Sequence, residues 1–182
     1  MRKIVLTVSG AVALLAIVAS GAAWANWMHG ERAKVKLDTL SGVKTSASGD
    51  AVFELSKDGK TIHYKLTLNK IDNVTMAHVH VVGADGTPAA ILVWIYPTEG
   101  NTPSLREGSF SGTLAEGDIT ADNLSGPLKG GTVKELFEKI GYGTAGVAIH
   151  TKQNGRGELW GVRKEDRKEQ KGMTENQGMS GY

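Results

Sequence analysis

Met76-Ala77-His78-Val79-His80-Val81-Val82, followed by Gly83-Ala84-Asp85-Gly86, is the stretch on which the reading of this chain turns. Residue character alternates, and the run ends on Gly and Asp-Gly, which supply turn geometry; it reads as a β-strand entering a tight turn. Side chains of a strand point alternately to its two faces. Ala77, Val79 and Val81 therefore share one face, and Met76, His78 and His80 share the other. Two imidazoles at i and i+2 stand about 6.6 Å apart along a strand, near enough to converge on one ion.

A second strand, Gly146-Val147-Ala148-Ile149-His150-Thr151, also ends in a histidine. It begins a hairpin with Gly157-Glu158-Leu159-Trp160-Gly161-Val162-Arg163, and Asn154-Gly155 lies in the turn between them. A further hairpin joins Ala51–Ser56 to Thr61–Leu68 through Lys57-Asp58-Gly59-Lys60. Asp-Gly and Asn-Gly between alternating runs are strong hairpin signals, because Gly accepts the positive φ that primed turns need. Ile62, Tyr64, Leu66 and Leu68 make the apolar face of that second strand. His63 falls on the opposite face with Lys65 and Thr67, as a solvated residue and not a ligand.

The remaining elements fit the same pattern. Lys34–Leu40 alternates as a half-solvated strand, and Gly42–Gly49 is a Ser/Gly/Thr-rich connection. Asn69–Thr75 leads into the His-x-His strand. Ala90–Tyr96 is a nearly continuous apolar run, which suits a strand buried on both faces. After the polar loop Pro97–Gly108, a strand begins over Ser109–Leu114. One helix is signalled: Thr132-Val133-Lys134-Glu135 is a capping box, Val133, Leu136, Phe137 and Ile140 form one stripe, and Gly141 is the expected stop.

The two ends of the chain read differently. Residues 1–25 have a signal-peptide pattern: Arg2 and Lys3, an apolar run from Ile4, and the small-x-small triplet Ala23-Trp24-Ala25. The 22 uncharged residues Ile4–Ala25 are also long enough for a membrane anchor. The small residues and the placed cleavage motif favour removal, and hence a secreted, periplasmic or cell-surface protein without stable membrane insertion afterwards. Residues 26–33 read as a flexible lead-in containing Trp27, Met28 and His29, and residues 164–182 as a disordered polar tail. A single domain over 34–163 lies between them.

Composition narrows the function. The chain has 21 Lys and Arg against 19 Asp and Glu; losing Arg2 and Lys3 leaves 19 of each sign. Such a balance offers no basic stripe for nucleic acid. With no cysteine, thiolate metal sites, thiol catalysis and redox dithiols are excluded. No phosphate loop, nucleophile elbow, HExxH or CxxC is present, so no catalytic residues are assigned.

Taken in order, these motifs resemble the CHRD domain, first described in chordin and also present in exported microbial proteins. The resemblance rests on Tyr64-Lys65-Leu66, on Ala77-His78-Val79-His80 with its glycine-containing turn and apolar strand, and on the Gly112–Ile140 segment. Val147-Ala148-Ile149-His150-Thr151 and Gly157-Glu158-Leu159-Trp160-Gly161 complete it. The chain departs from the family pattern at Gly146-Val147-Ala148-Ile149, where Tyr-Val-Asn-Val is preferred. It departs again at Leu159-Trp160-Gly161-Val162, where Ile-Arg-Gly-Gln is usual, although Arg163 follows. The resemblance implies an all-β, antiparallel, immunoglobulin-like or superoxide-dismutase-like β-sandwich in an extracytoplasmic setting. It carries no reaction with it.

Three functional readings follow: a binding or structural module with an extracytoplasmic protein partner, a metal-binding protein, or a redox enzyme using that metal. The metal reading gathers His78, His80 and His150, with Met76 and Glu158 as possible neighbours and copper or zinc as the ion. His-x-His plus one distant His is similar in spacing to the copper site of Cu/Zn superoxide dismutase. The competing expectation is that these histidines bond to one another, to Glu158 or to the backbone, and brace the sandwich.

Overall fold

The computed structural model describes residues 31–164. Seven strands run in the order β1 (Arg32–Thr39), β2 (Ser48–Leu55), β3 (Ile62–Val82), β4 (Pro88–Tyr96), β5 (Arg106–Ile119), β6 (Ala145–Thr151) and β7 (Leu159–Val162). Helix α1 (Val133–Gly141) precedes β6, and short 3-10 turns occupy Ala121–Asn123 and Gly126–Leu128. Every strand pairing is antiparallel. The all-β class with one short helix is thus what the sequence folds into.

β3 organises the whole. The sequence suggests two strands separated by Asn69–Thr75, but the structure joins them into one strand of 21 residues. Drawn straight, such a strand would run about 70 Å, too long for a domain of this size, so it has to bend. The bend falls at Lys70 and Asn73, both at φ 52, with register shifts against β5 between Leu68 and Ile71 and between Asp72 and Val74. Irregularities of this kind turn a strand while keeping most of its ladder. Hydrogen bonds steady the bend: Lys70 N–H donates to Ser111 Oγ at 2.9 Å, and Gly108 N–H to Asn73 Oδ1 at 2.9 Å.

Bending places the halves of β3 in different layers. Its first half pairs with β2 and β5, and its second half with β6 and β4. One layer is therefore β1-β2-β3-β5 and the other β7-β6-β3-β4. The β1–β7 pairing through Asp38 and Thr39 closes the circuit on the far side. The sandwich is a single sheet folded over and sealed.

Alternation fills the space between the layers. Val35 and Leu37 of β1, Phe53 of β2, Ile62, Leu66 and Ile71 of β3 and Ile149 of β6 are fully buried, while Lys34, Lys36 and Lys65 point to solvent. The Tyr64 hydroxyl, inside this core, donates to Ile95 O at 2.8 Å and ties the first half of β3 to β4. Helix α1 lays its expected stripe, Val133, Leu136, Phe137 and Ile140, onto the core. Its capping box forms as expected: Glu135 N–H donates to Thr132 Oγ1, and Thr132 N–H to Glu135 Oε2.

Several boundaries shift. The helix ends at Gly141, its last helical residue, as expected, but the left-handed glycine of the exit is Gly143, at φ 69. There Gly143 N–H bonds to Ile140 O and Thr144 N–H to Lys139 O, the paired closure that a left-handed residue permits. β5 starts at Arg106, inside the expected loop, and β1 begins at Arg32, inside the expected lead-in, with Ala33 already in the core. β4 is deeply buried only at Leu92, Val93 and Ile95, and its first residues are open. The signal segment, most of the lead-in and nearly all of the tail lie outside the described residues. Among the described residues no helix is long and apolar enough to cross a membrane.

Candidate metal centre

The second layer has an outer face as well as a core face, and the histidines stand on it. In the register, Trp94 of β4 lies opposite His78 of β3, His78 opposite Ala148 of β6, and Ala148 opposite Trp160 of β7. The row beside it runs Ile91, His80, Gly146 and Val162, and Met76 lies opposite His150. Cross-strand neighbours on one face touch, so the small residues on β6 leave room for the histidines of β3 and the indole of β7 to approach over them. Gly146 is required here: a Cβ on it would come within 2.6 Å of the Trp160 ring and 2.5 Å of Gly161 O.

This outer face is roofed. His78, His80 and His150 are only 2 %, 5 % and 6 % exposed. The Trp94 ring stands edge-on to His78 with centroids 4.1 Å apart, and Trp160 packs against His80 at 6.3 Å. Trp160 Nε1–H donates to Gly86 O at 2.9 Å, which ties the roof to the β3–β4 turn. A two-tryptophan cover over an outer sheet face removes it from water as effectively as the core does. β6, buried at every position, shows the result.

The three imidazoles converge. Each offers a ring nitrogen within 4.8 Å of the others. Their hydrogen bonds assign the protons. His80 Nδ1–H donates to Ala89 O at 2.8 Å, and His150 Nδ1–H donates to Gly155 O at 3.1 Å. Both Nε2 atoms are then left as lone pairs. His78 Nδ1 lies 3.1 Å from His150 Nε2; with His150 Nε2 an acceptor, His78 Nδ1 is the donor and its Nε2 is bare. His78 Nε2 and His80 Nε2 are buried and have no hydrogen-bond partner among the described residues. An orphaned buried acceptor costs about 1–3 kcal/mol, so two in one cluster call for an occupant or a compensation.

Electrostatics keep the cluster neutral. Burial, reinforced by His150 and His80, pushes the His78 imidazole down to about 3. Burial also lowers His80 against the opposing bond to Ala89 O, and lowers His150 against the bond to Gly155 O. Neutral imidazole is the form that ligates a metal. Nitrogens around one ion at about 2.0–2.1 Å stand about 3.3–3.6 Å apart, so the widest separation here must close by about 1 Å. Side-chain rotation covers such a distance, and once His150 Nε2 gives up the bond from His78 Nδ1–H the residues fit a three-histidine site with a fourth position open.

The two further partners fare differently. Glu158 is buried but committed: its carboxylate accepts from Thr45 Oγ1, Thr151 Oγ1 and Asn154 Nδ2 at 2.8, 2.8 and 2.9 Å. It organises the β6–β7 turn and is not among the grouped ligands. Met76 is part-buried beside His150 in the register. His63, set aside as a ligand, faces Asp118 at 2.8 Å and Glu116 at 3.4 Å, far along β3 from the cluster. The tryptophan roof and the two carbonyls went unassigned in the sequence. The nearest signal for the roof was the small-residue positions Gly146 and Ala148, which only strand pairing turns into room for it.

A sealed antiparallel β-sandwich with a covered histidine trio on its outer face defines a small all-β module of the binding or structural kind. The chain matches the family model of the CHRD domain over residues 33–162, and it belongs to that family. No curated protein and no solved structure matches it.

Proposed function

We propose that this CHRD-domain protein is an exported metal-binding module in which His78, His80 and His150 hold one copper or zinc ion. The supporting observation is the hydrogen-bond pattern: Nδ1–H of His80 and of His150 is held by a backbone carbonyl, and the buried Nε2 atoms of His78 and His80 have no partner among the described residues. A carbonyl on the far nitrogen is how ligating histidines are usually oriented, since it sets the tautomer and raises the basicity of the free nitrogen. A histidine placed only to brace a sheet would have both nitrogens bonded. The export part of the reading rests on residues 1–25.

A second reading has its own support. The His78–His150 bond at 3.1 Å links β3 to β6 and stabilises the layer without any ion. One experiment separates the two. Apo protein is titrated with Cu(I), Cu(II) and Zn(II) at pH 7.5 and 5.5, and bound metal is read by elemental analysis after desalting. A metal module binds one equivalent at the higher pH and less at the lower, because protons compete for the same nitrogens. A protein that binds nothing, yet loses thermal stability in His78→Ala, His80→Ala and His150→Ala, uses its histidines as braces.

A further inference from the structure

Granting that metal reading, we infer that the site is selective for monovalent copper, and that a divalent ion enters only together with one small anion in the fourth position. The argument concerns charge. All three ligands are imidazoles, neutral in the form that ligates, and among the described residues no carboxylate is grouped with them. The one buried carboxylate of this region, on Glu158, already accepts three hydrogen bonds in the β6–β7 turn.

An ion seated here keeps its whole charge under two indoles, among side chains 2–6 % exposed. The cost of taking an ion out of water rises with the square of its charge, and it is recovered only where opposite charge sits close by. Cu(I) brings one positive charge, spread onto three imidazoles. Zn(II) or Cu(II) brings two, with no protein group to offset either. Structural and catalytic zinc sites usually include thiolate or carboxylate ligands, or keep a position for hydroxide. Here the only position in which charge can be offset is the open one. A single monoanion there returns a divalent ion to the net charge that Cu(I) has alone. Imidazole suits copper, and the thioether of Met76, opposite His150 in the register, is the soft donor type that selects Cu(I).

The test uses the full chain in halide-free sulfonate buffer at pH 7.5. Cu(I) is titrated anaerobically against a chromogenic chelator, and Zn(II) and Cu(II) against a fluorescent one. The Zn(II) and Cu(II) titrations are then repeated with increasing sodium azide, with sodium perchlorate at equal ionic strength as control. Without azide, Cu(I) should bind at least about 100-fold tighter than Zn(II). Azide should tighten both divalent ions with a log–log slope approaching one anion per site, and azide-loaded Cu(II) should show a ligand-to-metal charge-transfer band. Perchlorate should do neither. Divalent binding that ignores azide, or Zn(II) binding as tight as Cu(I) without it, overturns this inference and leaves the metal site standing. Failure of all three ions to bind overturns both.

Discussion

His63 and His78 lie on the same strand, fifteen positions apart, and meet opposite fates. His63, on the first half of β3, is met by carboxylates: Asp118 and Glu116 of β5 reach its two nitrogens, and Lys65 pairs with Glu116 beside it at 2.9 Å. His78, on the second half, meets two other imidazoles, an indole and Ala148. The difference comes from the neighbours. β5 brings Glu116 and Asp118 to the outer face of the first layer, where water screens the pairs. β4, β6 and β7 bring tryptophans, alanine and glycine to the outer face of the second, which excludes water. One strand thus supplies an ordinary polar surface at one end and a dry, uncharged ligand set at the other.

The contrast can be broken or sharpened by experiment, beginning with the largest effect. Phe137→Ala empties a buried aromatic site on α1 and should lower stability by about 3–5 kcal/mol, read by denaturant unfolding, while the metal affinity of the folded fraction stays the same. A parallel loss of affinity would mean that the histidine cluster depends on global packing and not on its own sheet. Next, His78→Ala, His80→Ala or His150→Ala should each lower Cu(I) affinity by at least ~100-fold, beyond the 10–100-fold typical of lost supporting contacts. His63→Ala should leave it unchanged. Equal losses from His63→Ala would dissolve the distinction between the two halves.

A pH titration of apo-protein stability is the third test. The imidazole of His78 is held at about 3, and His80 and His150 below their ordinary value, whereas unfolded histidines titrate near 6.5. Above pH ~6.5 the two states bind the same protons and stability is whole. As pH falls through 6.5 the unfolded chain takes protons first, so stability drops by about 1.4 kcal/mol per pH unit for each depressed group. For His78 the loss levels off only near pH 3. A bound metal should leave the onset near 6.5, where the unfolded chain titrates, and extend the loss to lower pH. His78→Gln should flatten the apo profile by about one proton, and an unflattened profile would remove His78 from the cause. The smallest effect belongs to the surface: Asp118→Asn should cost no more than ~1 kcal/mol and shrink further in high salt.

Much of this was legible in advance, and particular residues show why. Asp58-Gly59 between alternating runs announced the β2–β3 hairpin, and Thr132 with Glu135 announced the start of α1, because both signals act within a few residues. Gly141 does end the helix, but of the two neighbouring glycines it is Gly143 whose φ turns positive, and that depends on how the next segment must run into β6. Residues 69–75 looked like a connection because nothing local says that β5 will run beside them and keep them in the ladder. His78, His80 and His150 could be grouped by alternation and a guess at strand adjacency. Their burial could not.

The sequence by itself determined the class of fold, the two main hairpins, the helix and its buried stripe, and which face of each strand carries histidine, since all of these follow from short-range periodicity and turn chemistry. Only the tertiary structure decided that β3 is one bent strand shared by both layers. It also decided that Trp94, Ala148 and Trp160 fall in a row with His78, that Ala89 and Gly155 present their carbonyls to the imidazoles, and that Glu158 is spent elsewhere. These are consequences of register between strands as far apart in sequence as Asp38 and Trp160. No local pattern encodes that register; it emerges when every buried face is satisfied at once.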